Sequence, residues 1–342
     1  MRNRKRVHAF PWIAFLSVVL VLEGAFSLCL GRYPIPIHEL IHSLWGKAAV
    51  ADGSQQTIFE KVLWEIRFPR IVAAILVGSS LSISGASFQA IFSNPLASPA
   101  LLGVLSGASF GGVLAMLVFA PGAVVGFCVF VGGLAAVLLS VAVARAIAGE
   151  GVLSLVLGGI VSNALFTSLL SLAKYVADPY NQLPGIVYWL MGGLSGVDRK
   201  IISLLWFPMT GAILGLVMLA PHLNALSLGE DEARSLGIHV WKSRLAVIGL
   251  STLASSLTVV LAGTIGWIGL IVPHLLRFLV GADNERLVLA SALGGAVFLL
   301  GIDDLSRTLF PMEVPLGILT ELFGVLAFLL LLPRLRRWNG GE

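Results

Sequence analysis

Charge is what this chain has least of: Asp, Glu, Lys and Arg make up 12% of its 342 residues. A soluble domain carries roughly 25%, so an ordinary aqueous surface cannot be built from what is present. Cysteine is nearly absent as well. Cys29 and Cys128 both sit inside apolar runs, where free thiols behave as small hydrophobes. That leaves no disulfide framework and no Cys/His cluster with metal-ligand spacing. No Gly-x-x-x-x-Gly-Lys-[Ser/Thr] occurs, so the chain lacks a phosphate-cradling loop of its own. Glu23, Lys174 and Glu321 are lone ionisable residues within or near apolar spans, and they do not form the series a proton relay needs. The net charge of +4 comes from basic residues gathered at span ends, which argues against nucleic acid as a partner. Neither a soluble domain nor a low-complexity tract is visible.

What remains is apolar. Hydrophobic residues make up 57% of the chain and the mean hydropathy is +0.96. The solvent for such a surface is lipid, which admits bundled helices or a closed barrel. Barrel strands need segments of alternating polarity, whereas Ile71–Leu81 and Val113–Val125 are apolar or small on every face. The expected fold is therefore an all-α membrane protein, one bundle over residues 1–342. With about 20 apolar residues per crossing, the expected spans lie near 10–31, 64–90, 98–119, 122–147, 152–176, 200–220, 241–262, 266–281, 286–306 and 314–333. The run Phe10–Leu30 exceeds a signal-peptide core and no Ala-x-Ala site follows it, while bulky Leu28 argues against a lipoprotein site at Cys29. It reads as a retained first helix.

An even span count puts both termini on one side. Arg2, Arg4, Lys5 and Arg6 at one end, and Arg334, Arg336 and Arg337 at the other, place that side in the cytoplasm by the positive-inside rule. The same topology puts the loops Arg145–Glu150, 222–240 and Asp283–Arg286 inside, and the segments 32–62 and 177–199 outside. The first outer segment holds Tyr33-Pro-Ile-Pro, which starts an interfacial helix. The second holds Asp178-Pro-Tyr-Asn, which favours turns. Glycine occurs 38 times, often beside Ala or Ser inside spans, as in Gly78–Gly85. Such faces let helix backbones approach closely in lipid. A weak internal echo relates Arg70–Pro95 to Arg244–Pro273, each a small-residue helix leading to a proline elbow.

Residues 222–244 are the outlier: a charged, helix-forming stretch between two apolar spans. Its natural neighbours are water and another protein. Arg67-Phe-Pro-Arg70 opens the second span at the outer side. Its arginines either anchor at the interface by snorkelling or offer bidentate forks to a partner's carboxylates. Asp303, Asp304 and Arg307 are spaced to meet on one helix face, as a self-satisfied set or with Arg307 turned to an external partner. Asn94-Pro-Leu-Ala-Ser-Pro99 makes an irregular elbow, tolerated at membrane depth only where buried or lining a cavity; a simple reversal between spans is the plainer alternative. Gly263–His274 is broken by three glycines and Pro273, and His274 is expected to satisfy broken backbone rather than bind metal.

Taken in order, these motifs resemble the permease family of ABC importers for ferric siderophores, haem and cobalamin. The likeness is carried by Arg67-Phe-Pro-Arg70, Gly85-x-x-x-Gln89, Asn94-Pro-Leu-Ala-Ser-Pro-x-x-Leu-Gly103, Trp189-Leu-Met-Gly-Gly and Leu223-Asn-x-Leu-x-Leu-Gly-x-x-x-Ala-x-x-Leu-Gly237. It continues through Gly269-Leu-Ile-Val-Pro-His-x-x-Arg277, Asp303-x-x-x-Arg307 and Val314-Pro-Leu-Gly-Ile, covering about residues 62–333. The resemblance implies a ten-helix, type II importer subunit that pairs with a second copy as a homodimer. It also implies two cytoplasmic ATPase subunits, which bind the ATP and magnesium, and an extracytoplasmic substrate-binding protein. This chain would itself hold no cofactor and no catalytic or metal site. By the same likeness Arg67, Arg70 and Arg307 dock the binding protein, and Asn94, Pro95 and Leu96 form a cytoplasmic gate. The coupling segment would comprise Leu223, Asn224, Leu226, Leu228, Gly229, Glu230, Ala233, Leu236 and Gly237, and Gly269, Pro273 and His274 a structural elbow.

Three departures stand out. Ser93 replaces the usual basic residue, Trp267 the usual Phe, and Gly324-Val-Leu-Ala-Phe328 lacks a proline that would kink the last helix. The implied function is ATP-driven import of a metal chelate such as a ferric siderophore across the cytoplasmic membrane, with haem, cobalamin or an oxyanion such as molybdate as alternatives. An ion-coupled secondary transporter would need midplane carboxylates or broken-helix ion sites, and an intramembrane enzyme a nucleophile–base pair. The residues assemble no such pair, and the ion-coupled transporter stands as the less favoured alternative.

Overall fold

The computed structural model describes residues 9–31, 33, 60–95, 97–147 and 152–339. Among these, every regular element is helical. The chain begins with α1 (Ala9–Cys29), and a π-helical turn, Val62–Arg67, leads into α2 (Phe68–Ile91). A 3-10 turn, Pro99–Leu102, precedes α3 (Val104–Leu117), α4 (Gly122–Ile147) and α5 (Val152–Val176). Short α6 (Leu183–Leu190) and long α7 (Arg199–Met218) follow, then α8 (Ala220–Leu228) and α9 (Glu230–Ser235). The last four are α10 (Val240–Ala262), α11 (Ile268–Val280), α12 (Asn284–Thr308) and α13 (Leu316–Asn339).

Each expected span corresponds to one helix: α1 to α5, α7, and α10 to α13. Seven of them are long and apolar enough to cross a bilayer unaided. Val104–Leu117, Ile268–Val280 and the described apolar part of α13, Leu316–Leu330, are shorter. Two of these have a visible cause. α3 follows the proline elbow and α11 follows the glycine-broken loop after α10, so irregular backbone takes up part of their membrane depth. The expected interfacial helix after Tyr33, the gate residue Leu96, the basic N-terminal cluster and the 148–150 part of the inner loop lie outside the described residues, as do the side chains of Arg334, Arg336 and Arg337.

α2 is the central column: 89% of its most apolar window is buried, against 11% for α1. Lipid tails are as apolar as leucine, so close van der Waals packing must hold helices to it. Small residues provide that closeness. A Cβ at Gly78 would meet the Gly295 carbonyl of α12, and one at Gly85 would meet the Gly269 carbonyl of α11. Gly107 and Gly132 join α3 to α4 in the same way.

The irregular backbone at Gly192 and Gly263 is buried in the bundle and satisfied there, as a hydrocarbon surrounding demands. Gly193 N–H donates to Ala262 O at 2.9 Å, while Leu316 and Gly317 N–H donate to Gly192 O and Met191 O at 2.9 and 3.1 Å. The elbow after α2 is more than a reversal. Pro99 and Leu102 are buried, the Leu101 carbonyl lies against Gly159 of α5, and Gly103, at φ +76°, packs on Ser162 and Asn163. α13 is assigned as one uninterrupted helix, in keeping with the missing proline near Leu326.

Candidate functional site

The described motifs collect at the two ends of the bundle and at one contact between them. At the end expected to face outside, Pro69 sits in the first turn of α2, where its missing N–H costs nothing. Arg67 and Arg70 flank it. All three candidate docking arginines are buried: Arg67 is 4% exposed, Arg70 6% and Arg307 8%. None snorkels. The Arg67 guanidinium donates to the carbonyls of Leu28 and Tyr33. Leu28 lies in the last turn of α1, whose carbonyls have no partner within the helix, so Arg67 ties the end of α1 to the start of α2.

Arg70 reaches across to α12. Its Nε donates to both oxygens of Asp303 at 3.0 Å and its Nη2 to Oδ1 at 2.9 Å, while Nη1 donates to Glu313 Oε1 at 3.0 Å. The Nε of Arg307 approaches the other Asp303 oxygen at 3.3 Å. Arg307 also pairs with Asp304 and donates to Ser27 Oγ, while the Ser27 hydroxyl donates to Asp304 at 2.7 Å. Asp303, with a side chain 0% exposed, is thus shared by two guanidiniums. The expected Asp303/Asp304/Arg307 grouping is present, and α2 and α1 complete it. Sequence reasoning missed Ser27 and Glu313. A lone acidic residue beside Val314-Pro in an otherwise apolar outer loop was the available signal for Glu313.

At the opposite end, residues 222–240 form two short helices rather than one. The break is at Gly229, φ +131°, a conformation open mainly to glycine. Leu223, Leu226 and Ala233 are buried in this chain's own core, while Leu228 and Leu236 are 67% and 63% exposed. Of Leu226, Leu228 and Leu236, the first thus faces the bundle, and the other two are left open to a neighbour. Asn224 donates to Asp283 at 3.0 Å and to Glu285 at 3.4 Å, and accepts from the Asn284 N–H at 2.7 Å. It thereby holds the N-terminus of α12, where Asp283 is the capping residue. Glu230 accepts from Arg244 of α10 at 2.6 Å and from Arg234 at 3.3 Å. Gly237 closes the segment at φ +79°.

Between the ends lies the elbow in α11. Pro273 has no N–H for the Gly269 carbonyl one turn earlier. That carbonyl packs on Gly85, and the Gln89 side chain donates to Gly269 O at 3.5 Å and Leu270 O at 3.2 Å. Arg277 in turn donates to Gln89 Oε1 at 3.2 Å. His274 has a different place from the one expected. Its Nε2 has no partner and its ring meets Phe278 edge-on at 5.4 Å, so Gln89, not His274, serves the broken backbone. Trp267 starts α11 at φ +67° and packs on Gly324 of α13. Of the expected gate residues, Asn94 is half-buried and Pro95 exposed.

α12 is common to both ends, with Asn284 at the one beside α8 and Arg307 at the other. Its 25 residues span about 37 Å at 1.5 Å per residue.

Residues 19–334 match the FecCD transport family. The chain is 36% identical to the molybdate import system permease protein MolB of Haemophilus influenzae, over 98% of this chain and 99% of that one. It is 36% identical to an iron chelatin transport system permease protein of Helicobacter pylori, over 97% and 99%. With the vitamin B12 import system permease protein BtuC of Citrobacter koseri the identity is 34%, over 95% of each. Among solved structures, one described as an inward-facing metal-chelate type ABC transporter superposes with a TM-score of 0.83 at 34% identity, covering 94% of this chain and 98% of that one.

Proposed function

The chain belongs to the FecCD transport family, and from that premise we propose that it is the membrane-spanning subunit of an ATP-driven importer for a metal chelate. Two copies form the pathway. Two cytoplasmic ATPase subunits bind ATP and magnesium and seat on residues 222–240, and an extracytoplasmic binding protein docks at the end marked by Arg67, Arg70 and Arg307. Both termini face the cytoplasm. One observation carries this reading beyond the family match. The candidate coupling segment is clamped by Asn224 to the N-terminus of the same helix whose far end carries Asp303 and Arg307. A displacement of α8 and α9 by an ATPase would be carried along α12 to the docking end, and the reverse.

The elbow supplies a compliant point for alternating access. Asn94 and Pro95 sit in a turn outside the helix ladder, where Asn94 N–H donates to Gln89 O and Ala97 N–H donates to Asn94 O, both at 3.1 Å, and both residues keep part of their surface exposed. Leu96 belongs to the same proposed gate. The assembly is tested by purifying the chain with its ATPase and measuring stoichiometry: two of each is expected, and a permease that retains no ATPase would count against the reading. The Haemophilus influenzae relative, named for molybdate, favours one second reading, an oxyanion cargo. Competition between a ferric siderophore and molybdate for the binding protein separates the two.

A further inference from the structure

Arg70 has two kinds of acceptor. Asp303, with a side chain 0% exposed, holds Nε and Nη2, whereas Glu313, with a side chain 31% exposed, holds Nη1 at 3.0 Å. Among the described residues Arg67 and Arg307 have no comparable partner. Arg67 is held by backbone carbonyls, and Arg307 by Asp303, Asp304, Ser27 and the Leu30 carbonyl. Among the described residues Glu313 is therefore the most exposed carboxylate of this network, the Asp304 side chain being 11% exposed. It lies in the loop from α12 to α13, pinned by the Ser306 hydroxyl donating to Val314 O at 2.6 Å and by Val314 N–H donating to Ser306 O at 3.3 Å. Within that loop Phe310 and Met312 are 61% and 81% exposed.

We propose that Glu313 is an internal competitor for the partner's carboxylate: it occupies Arg70 in the undocked chain and yields that position when an acidic surface docks. The proposal rests on the docking reading given above. A buried guanidinium with an empty nitrogen is costly, so the outer end cannot wait for its partner with Arg70 unfilled. Glu313 fills the place between encounters. Docking then exchanges one carboxylate for another rather than creating a new ion pair, and the net gain is correspondingly small. A binding protein that must leave after each delivery is served by such an exchange. The contact also puts the loop at the start of α13 under the partner's control, because Glu313 is released as the partner arrives.

The test uses the complete permease–ATPase complex in lipid nanodiscs and, as probe, the binding protein that stimulates ATP hydrolysis by the wild-type complex. Glu313→Gln removes the competing charge and keeps the shape. Affinity is expected to rise by up to about fivefold, the size of one partly exposed ion pair, and the gain should vanish in an Arg70→Gln background. Unchanged or weaker binding by Glu313→Gln overturns the proposal. Arg70→Gln alone then identifies the failed step. Weaker binding there leaves the docking reading standing and removes the competitor alone; unchanged binding removes both. If Arg70→Gln does not assemble, Arg70→Lys takes its place. It keeps the charge but loses the fork, so the Glu313→Gln gain should shrink in that background, and an undiminished gain overturns the proposal.

Discussion

Replacing Asp303 with alanine removes the carboxylate on which the outer end of the bundle turns. In the native chain it accepts three hydrogen bonds from Arg70 and faces the Nε of Arg307 at 3.3 Å. Among the described carboxylates, Asp303→Ala leaves Arg70 with Glu313 and Arg307 with Asp304, and these arginines are 6% and 8% exposed in the native chain. Removing one partner of a buried ion pair costs about 3–5 kcal/mol, because the remaining charge is left uncompensated. A second substitution separates that penalty from the worth of the pair itself. Arg70→Leu in the Asp303→Ala background takes away the stranded charge, so the double variant should be more stable than Asp303→Ala alone, with a favourable coupling energy. The assay is the temperature at which half of the detergent-solubilised complex ceases to elute as a monodisperse species. A single-variant cost below about 1 kcal/mol, as at an exposed pair, would refute the reasoning. So would a double variant no more stable than the single.

Gly85→Ala should destabilise by about 1–3 kcal/mol through overpacking, since its Cβ would meet the Gly269 carbonyl, whereas Gly249→Ala, with nothing within 4 Å, should be neutral or better; equal effects in a thermal assay would remove the α2–α11 contact from the account. Gly229→Val forces a side chain onto φ +131° and should leave ATP hydrolysis while abolishing transport. Normal transport by that variant would show that the break between α8 and α9 does not matter for coupling. With Cys29 and Cys128 replaced, a cysteine at Ser54 should react with an impermeant reagent from outside and one at Asn339 should not; the opposite pattern overturns the orientation.

The architecture was legible because apolar runs of about 20 residues are set by the bilayer itself. The glycine faces were legible for a related reason, since close backbone approach in lipid selects small residues. Pairing was not. Arg70 and Asp303 are 233 residues apart, and no local pattern says which distant carboxylate will meet which guanidinium. The inward turn of the arginines was missed for the same cause, as snorkelling and buried pairing look alike along the chain. In the segment after Leu223, Gly229 at φ +131° divides the chain into two helices and Gly237 at φ +79° closes it; a glycine in the sequence permits either role, and only the backbone angle and its neighbours settle which. His274 and Gln89 exchanged roles because Gln89 lies on α2, not beside the proline whose missing N–H creates the need. The match of Arg70–Pro95 to Arg244–Pro273 corresponds to two small-residue helices, α2 and α10, each followed by irregular backbone.

The central claim is that this chain moves a solute across the membrane at the expense of ATP hydrolysed by its partners. Its most direct test is uptake by vesicles containing the permease–ATPase complex, with ATP enclosed and the binding protein and a labelled ferric chelate or molybdate outside. The account predicts accumulation that requires both ATP and the binding protein and that is lost in Gly229→Val. Accumulation driven by an ion gradient without ATP, or equal uptake without the binding protein, would contradict it.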